Sequence, residues 1–355
     1  MLPEKYKELS DEQAIPLIQK IKDALGDKVM ILAHHYQRDE VVKFADEIGD
    51  SLYLSMKAAK STAPFIVFCG VMFMAETADM VTDDSKTVIL PDLNAGCPMA
   101  DMASVREVEQ AWRELGKFED LSEFIPITYI NSSAETKAFC GRNNGLVCTS
   151  ANAEKIIKWA FDEGKKIFFF PDEHLSSNTA DKLGINEVAV WERGMENGGL
   201  SSETIKDTKI LVWNGYCPVH VRFKPENIED LKEQNPNIKI LVHPEVPKEI
   251  AQKADLIGST GFIVKTIEEA EKGSEWAIGT EIHLVNRLAK EHPDKKIQAI
   301  GGPVCMCSHM DRISPQHLLW VFENLNEDKI VNQIKVNSDT KKSALLALDR
   351  MFELS

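Results

Sequence analysis

The residues best able to do chemistry in this chain are its seven cysteines: Cys69, Cys97, Cys140, Cys148, Cys217, Cys305 and Cys307. Two of them share a local design. Cys97 stands in Asn94-Ala-Gly-Cys97-Pro98-Met-Ala-Asp101, and Cys217 stands in Asn214-Gly-Tyr-Cys217-Pro218-Val-His220. Each follows an apolar run and a glycine turn, and each precedes proline, which favours the first position of a helix. The spacing predicts that each caps a helix N-terminus. Unpaired N–H groups and the helix dipole there favour the thiolate, the form that binds metal. The plainer alternative is a pair of buried thiols in strand-end turns.

A third region, Gly301-Gly-Pro-Val-Cys305-Met-Cys307-Ser-His-Met310, offers two thiols after a turn. No Cys-x2-Cys or His-x3-His pair exists, which argues against a local zinc finger. Four-cysteine clusters usually include closely spaced ligands. Three lone, distant cysteines instead match an iron–sulfur cluster with one open iron, used as a Lewis acid rather than for electron transfer. Cys69 lies in an apolar run and reads as a core thiol. Cys140 and Cys148 flank the turn-rich Gly141-Arg-Asn-Asn-Gly145, which reads as a loop, and are taken as structural, with redox pairing as the alternative.

Histidines, tyrosines and carboxylates recur at the ends of apolar runs. His34 and Tyr36 stand two apart, as do Tyr129 and Asn131, so each pair falls on one side of an extended chain. His243 and Glu245 alternate around Pro244, and His220 lies three residues after Cys217. These types can move protons near neutral pH. Ser259-Thr260-Gly261 forms a hydroxyl-rich turn able to hold a phosphate or carboxylate, although it is also ordinary turn chemistry.

The elements that position these groups alternate. Val29–Ala33, Thr87–Leu90, Ile127–Ile130, Ile167–Phe170, Lys209–Trp213 and Lys239–Val242 read as strands, while 41–60, 153–164, 247–253, 266–273 and 316–324 read as helical. Nearly continuous apolar strands alternating with helices imply parallel sheets covered on both faces. In such sheets ligands bind beyond the carboxyl ends of the strands, where the polar clusters above fall. With 355 residues, two or three domains are expected. A net charge of −15 argues against a broad nucleic-acid footprint. The longest apolar run, Phe65–Ala75, is too short for a membrane helix, and residues 1–20 lack an apolar leader. The expectation is a cytoplasmic protein.

The ordered set of motifs resembles one family, quinolinate synthase. It comprises Ala33-His-His-Tyr-Gln37, Gly49-Asp-Ser51-Leu, Phe73-Met-Ala-Glu-Thr-Ala78, Ala95-Gly-Cys97-Pro-Met-Ala100, Tyr129-Ile-Asn131, Cys148-Thr-Ser150-Ala, Phe170-Pro-Asp172, Gly215-Tyr-Cys217-Pro-Val-His220, His243-Pro-Glu245, Gly258-Ser-Thr260 and Gly279-Thr-Glu281. The resemblance implies three similar α/β/α sandwich domains with parallel sheets, in pseudo-threefold arrangement around a central cavity. Their expected boundaries are residues 1–96 with 305–355, 97–216 and 217–304. It implies a [4Fe–4S] cluster on Cys97, Cys217 and Cys307 with one open iron; Cys307 is preferred to Cys305 because Cys307-Ser-His-Met310 keeps the family's ligand-x-x-Met pattern. It implies condensation of iminoaspartate with dihydroxyacetone phosphate to quinolinate, with loss of phosphate and water, in NAD biosynthesis. Tyr36, Tyr129 and Glu245 are the expected catalytic groups. His34, Ser51, Tyr129, Asn131, Ser150, His220, His243, Glu245, Ser259 and Thr260 are the expected substrate-binding groups. Transient contact with the enzyme that supplies iminoaspartate is expected, and none with nucleic acid or membrane. The competing readings are another open-iron hydro-lyase acting on a small carboxylic acid, and a cluster-based redox sensor.

Overall fold

A computed structural model describes residues 2–302 and 305–355; Pro303 and Val304, part of the turn expected before Cys305, lie outside the described residues. The strands in chain order are β1 (Val29–His34), β2 (Glu47–Gly49), β3 (Phe65–Cys69), β4 (Thr87–Ile89), β5 (Phe124–Tyr129), β6 (Leu146–Cys148), β7 (Lys166–Phe170), β8 (Val188–Trp191), β9 (Ile210–Trp213), β10 (Lys239–Val242), β11 (Leu256–Ile257), β12 (Glu275–Gly279), β13 (Lys296–Ala299) and β14 (Gln333–Ile334). They form three sheets, parallel throughout except where β14 pairs antiparallel with β4. The fold is therefore α/β with three parallel-dominated sheets flanked by helices.

The chain divides into two compact units. The first comprises Met1–Cys97, Glu281–Glu291 and Met306–Val336, and holds the sheet β14-β4-β3-β1-β2. The second comprises Pro98–Thr280, His292–Cys305 and Asn337–Ser355, and holds the sheets β6-β5-β7-β9-β8 and β11-β10-β12-β13. Residues 305–355 were expected to stay together. Instead the last helix, Ser338–Glu353, packs on helix Ala134–Arg142 in the second unit, where Gly141 lies so close that a Cβ would meet the Ser343 carbonyl.

Central strands are buried along their length, as β5 and β9 show, because helices cover both faces. Phe168, Phe170, Trp191 and Trp213 fill the layer beside the second sheet. The expected long helix over 41–60 is broken: a short helix, Asp39–Val42, leads into β2, which pairs with β1, and Asp50 then starts a new helix, Ser51–Lys60, by accepting from the Tyr53 amide. Other helices run Ala153–Asp162, Lys248–Ala251 and Thr260–Glu269, the last beginning six residues before its expected start. The expected loop around Gly145 is a tight turn: Cys140 lies in a helix and Cys148 ends β6, both fully buried. Among the described residues, no helix is long and apolar enough to cross a membrane.

Candidate active site

None of the seven cysteines forms a disulfide, and they sort by burial. Cys69, Cys140, Cys148 and Cys305 are buried, whereas Cys97, Cys217 and Cys307 are partly exposed. Burial pushes the Cys69 thiol up to about 12 and raises Cys140 and Cys148 as well, so these three stay protonated.

The three partly exposed cysteines share one construction. In each case the N-cap of a long helix lies seven residues on: Ser104 after Cys97, Lys224 after Cys217 and Ser314 after Cys307. The residues three and six places beyond each cysteine are buried: Ala100 and Ala103, His220 and Phe223, Met310 and Ile313. Two places before each cysteine sits a buried residue: Ala95, Gly215 and Cys305. Cys305 thus occupies the inward position that alanine and glycine fill in the other two segments.

The helix-start expectation needs correction at Cys217. A one-turn helix, Pro98–Asp101, does follow Cys97. After Cys217 the chain makes a turn and a 3-10 segment, His220–Arg222, and Cys307 is followed in the same way by Met310–Arg312. The Val221 amide donates to the Cys217 carbonyl and the Asp311 amide to that of Cys307. Pro225 and Pro315 then begin the long helices; proline forces the residue before it into extended geometry, so the first turn cannot grow into them.

In the second unit, β5, the loop after β9 and the turn after β10 bring four predicted residues together. The Tyr129 hydroxyl donates to Glu245 Oε1 at 2.6 Å, and His220 Nδ1 meets Glu245 Oε2 at 2.7 Å. His243 Nδ1 lies 3.9 Å from Glu245 Oε1, and its ring stacks on His220 with centroids 4.7 Å apart. His220 Nε2 is 3.3 Å from Thr280 Oγ1. All four residues are buried, and a turn closed by the Val246 amide on the His243 carbonyl keeps His243 and Glu245 adjacent. One ligand atom from each of Cys217, His220 and Glu245 falls within 4.8 Å of the others, so this group could hold a metal ion.

Electrostatics divides the labour. Burial opposes ionisation of Glu245, yet the neighbouring His243 and His220 and the bonds from His220 and Tyr129 outweigh it and hold the carboxyl at about 2. Burial drives His243 down to about 3, so its imidazole is neutral. Burial, and then the Glu245 charge, raise the Tyr129 hydroxyl, while Ser150, also hydrogen-bonded to it, works the other way. Asp172, fully buried at the end of β7, is raised by desolvation and by Glu245. The two neighbouring carboxyls are thus pushed in opposite directions, an arrangement that separates a base from an acid. Asp172 Oδ1 accepts from the Leu175 amide, while Oδ2 has no hydrogen-bond partner among the described residues.

Asn178 braces this cluster: its side-chain amide donates to the carbonyls of Pro244 and Val246, which flank Glu245. Asn131 lies in the bend after β5, with Oδ1 buried and without a hydrogen-bond partner among the described residues. Ser150 and Ser259 line a groove of about 690 Å3 with Pro244 and Phe262. Ser259 caps helix Thr260–Glu269 by accepting from the Phe262 amide, and Thr260 is buried beside it.

In the first unit, His34 ends β1 and is buried. The Tyr36 amide donates to His34 Nδ1 at 3.1 Å, which puts the neutral ring's proton on Nε2. The two rings meet edge to face with centroids 4.5 Å apart, so the pair does share a side. Ser51 opens helix Ser51–Lys60 and its carbonyl accepts from Ser55 Oγ.

Sequence reasoning gave no role to Asp172, Asn178, Thr280 or His174. Burial lowers His174, which lies within electrostatic range of Glu245 and His220. For Asp172 a signal existed, the motif Phe170-Pro-Asp172 that forms part of the family resemblance. Thr280 stood in the motif Gly279-Thr-Glu281 without a role, and Asn178 carried no signal, since its partners are far away in sequence.

A family profile described as quinolinate synthetase A protein matches residues 17–353. The chain is 48% identical to a quinolinate synthase of Rhodopirellula baltica over 360 residues, covering 98% of this chain and 92% of that one. It is 50% identical to a quinolinate synthase of Nocardioides over 355 residues, covering 97% and 90%. It is 48% identical to one of Bacillus cytotoxicus over 357 residues, covering 99% and 96%.

Proposed function

The chain belongs to the quinolinate synthetase A family, and we propose that it condenses iminoaspartate with dihydroxyacetone phosphate to give quinolinate, phosphate and water, in the biosynthesis of NAD. It works on these small molecules in the cytoplasm.

The observation that carries the chemistry is the buried chain Tyr129–Glu245–His220. Ring formation requires removal of carbon- and nitrogen-bound protons and protonation of departing oxygens. Glu245, ionised and desolvated, is the base, and Tyr129 holds the adjoining proton and returns it. His220 takes up or supplies the proton on the other carboxylate oxygen. Neutral His243 donates a hydrogen bond to a substrate carboxylate without becoming charged. His34 Nε2–H is a second donor of this kind, and Tyr36 beside it moves a proton. Asn131 orients a carboxylate. Ser51, Ser150, Ser259 and Thr260 supply hydroxyls for the phosphate and carboxylate oxygens.

Cys97, Cys217 and Cys307 fit an iron–sulfur group: they alone are partly exposed, and they share the seven-residue spacing to a helix cap. A [4Fe–4S] cluster held by these three would keep one iron open and supply a Lewis acid for a substrate oxygen.

The test is anaerobic turnover with iminoaspartate generated in situ and dihydroxyacetone phosphate, following quinolinate directly. Stoichiometric quinolinate and phosphate from the wild type, with loss in Glu245→Gln, supports the reading. Turnover of hydroxy acids without quinolinate would mark a hydro-lyase instead.

A further inference from the structure

Cys307 is held by a closed ring of hydrogen bonds and ion pairs. Glu281, two residues past β12, is fully buried. Its Oε1 accepts from the Cys307 amide at 3.1 Å and meets His283 Nδ1 at 2.9 Å, while Oε2 accepts from the His283 amide at 2.8 Å. His283 Nε2 lies 3.5 Å from Asp311 Oδ1, which also accepts from Arg38 at 2.7 and 3.2 Å. The Asp311 amide then donates to the Cys307 carbonyl at 3.0 Å, which closes the ring. Both backbone groups of Cys307 are thereby fixed by residues whose side chains meet through one imidazole. A carboxylate is costly to bury and is retained where its charge-assisted bonds offset the lost hydration. Here those bonds go to one cysteine and to the histidine that links it to Asp311.

We propose that Glu281 is the positioning residue of Cys307: with His283 and Asp311 it clamps the backbone so that the thiolate is presented in one orientation. The proposal rests on the reading that Cys307 binds the cluster. Second-sphere partners of metal ligands commonly set affinity by about 10–100-fold. Asp172 stands at the corresponding step, two residues past β7, with its carboxyl close to the Cys217 amide.

The experiment compares wild type, Glu281→Gln, Glu281→Ala and Cys307→Ala, each purified and reconstituted anaerobically with iron and sulfide. The readouts are iron per chain, visible absorbance and the rate of iron loss to a ferrous chelator. Far-ultraviolet circular dichroism and melting of the iron-free chains report folding. Glu281→Ala is expected to release iron about 10–100-fold faster than wild type, with an unchanged iron-free chain. Glu281→Gln, which keeps an oxygen for the Cys307 amide, is expected between the two. Wild-type release from Glu281→Ala, alongside iron loss in Cys307→Ala, overturns the clamp and leaves the ligand assignment standing. Full iron in Cys307→Ala overturns the ligand assignment itself. Should Glu281→Ala fail to fold, His283→Ala breaks the ring at a part-exposed residue, and wild-type release from it overturns the proposal equally.

Discussion

Tyr129 and Glu245, 116 residues apart in the chain, share a 2.6 Å hydrogen bond inside a fully buried cluster, with the tyrosine donating to a carboxylate already bound by His220. Each partner explains the other's state. The carboxylate keeps the phenol protonated, and the phenol helps keep the carboxylate charged.

Tyr129→Phe removes that donor and, with it, the hydroxyl's bond with Ser150. Turnover is expected to fall about 10²–10³-fold with a smaller change in KM, as for loss of a group acting in proton transfer. The hydroxyl's bond to a charged acceptor contributes about 1.5–3 kcal/mol, so melting of the variant should drop modestly. Unchanged kcat in single-turnover measurements would remove Tyr129 from the mechanism.

Glu245→Gln keeps the shape and abolishes the charge. Quinolinate formation should fall about 10²–10⁴-fold. His243 loses the anion that favours its protonated form, so proton NMR should show its imidazole still less readily protonated. A His243 titration that matches that of wild type contradicts the role given to this carboxylate.

The two thiols of Cys305-Met-Cys307 are expected to behave oppositely. Cys305 sits at the buried step matched by Ala95 and Gly215, so Cys305→Ala should retain iron after anaerobic reconstitution. Cys307→Ala should lose it. The reverse pattern in paired iron and sulfide assays would exchange the assignments.

Folding should weaken in mild acid. His35 is lowered to about 4, by burial and then by the Arg287 charge, and His243 is lowered to about 3 by burial. Between the ordinary histidine value of about 6.5 and these folded values, the unfolded chain binds protons that the native chain does not, so stability falls as pH falls. Glu245, depressed to about 2, adds stability that is present above the ordinary carboxylate range and lost as pH drops through about 2. Asp172, raised, acts in the opposite sense. Melting of the iron-free chain should therefore drop between about pH 7 and about pH 5, and His35→Gln should flatten that slope. A slope in His35→Gln equal to that of wild type counts against the His35 assignment.

Gly215 should not tolerate a side chain. A Cβ there would stand 2.3 Å from the Pro171 carbonyl oxygen, between the turn after β7 and the loop carrying Cys217. Gly215→Ala is expected to cost about 1–3 kcal/mol and to lower iron loading. Wild-type loading at wild-type melting temperature would show that the two turns can part without consequence.

Much of the scaffold was legible because the strands buried on both faces write themselves as apolar runs: β1, β5, β7, β9 and β10 all read directly. β2 was not, because Glu47-Ile-Gly49 is three residues long and sits in a stretch with helical spacing; only its pairing with β1 makes it a strand. β11 is two exposed residues, held by β10. At the site, His34 and Tyr36 could be paired by period alone, since both lie on one strand end. Apart from His243, two residues away, the partners of Glu245 are Tyr129 and His220 from two other segments, and no local spacing announces them. The same holds for the ring around Cys307, where Glu281 and Asp311 are thirty residues apart. The Cys217 segment misled because proline after cysteine does favour a helix start, but Pro225 cuts that helix to a single 3-10 turn.

Asn178 grips the backbone on either side of Glu245 by two carbonyls and touches neither side chain there through those bonds. Its demand is therefore for a chain path, not for particular neighbours. Over generations, position 246 can drift among residues that fill Val246's space, because any of them offers the same carbonyl. Position 178 has no such latitude: a forked pair of amide hydrogens of that reach is supplied by asparagine and, one methylene longer, by glutamine alone. Freedom to vary is thus greater beside the buried carboxylate than on the helix that braces it.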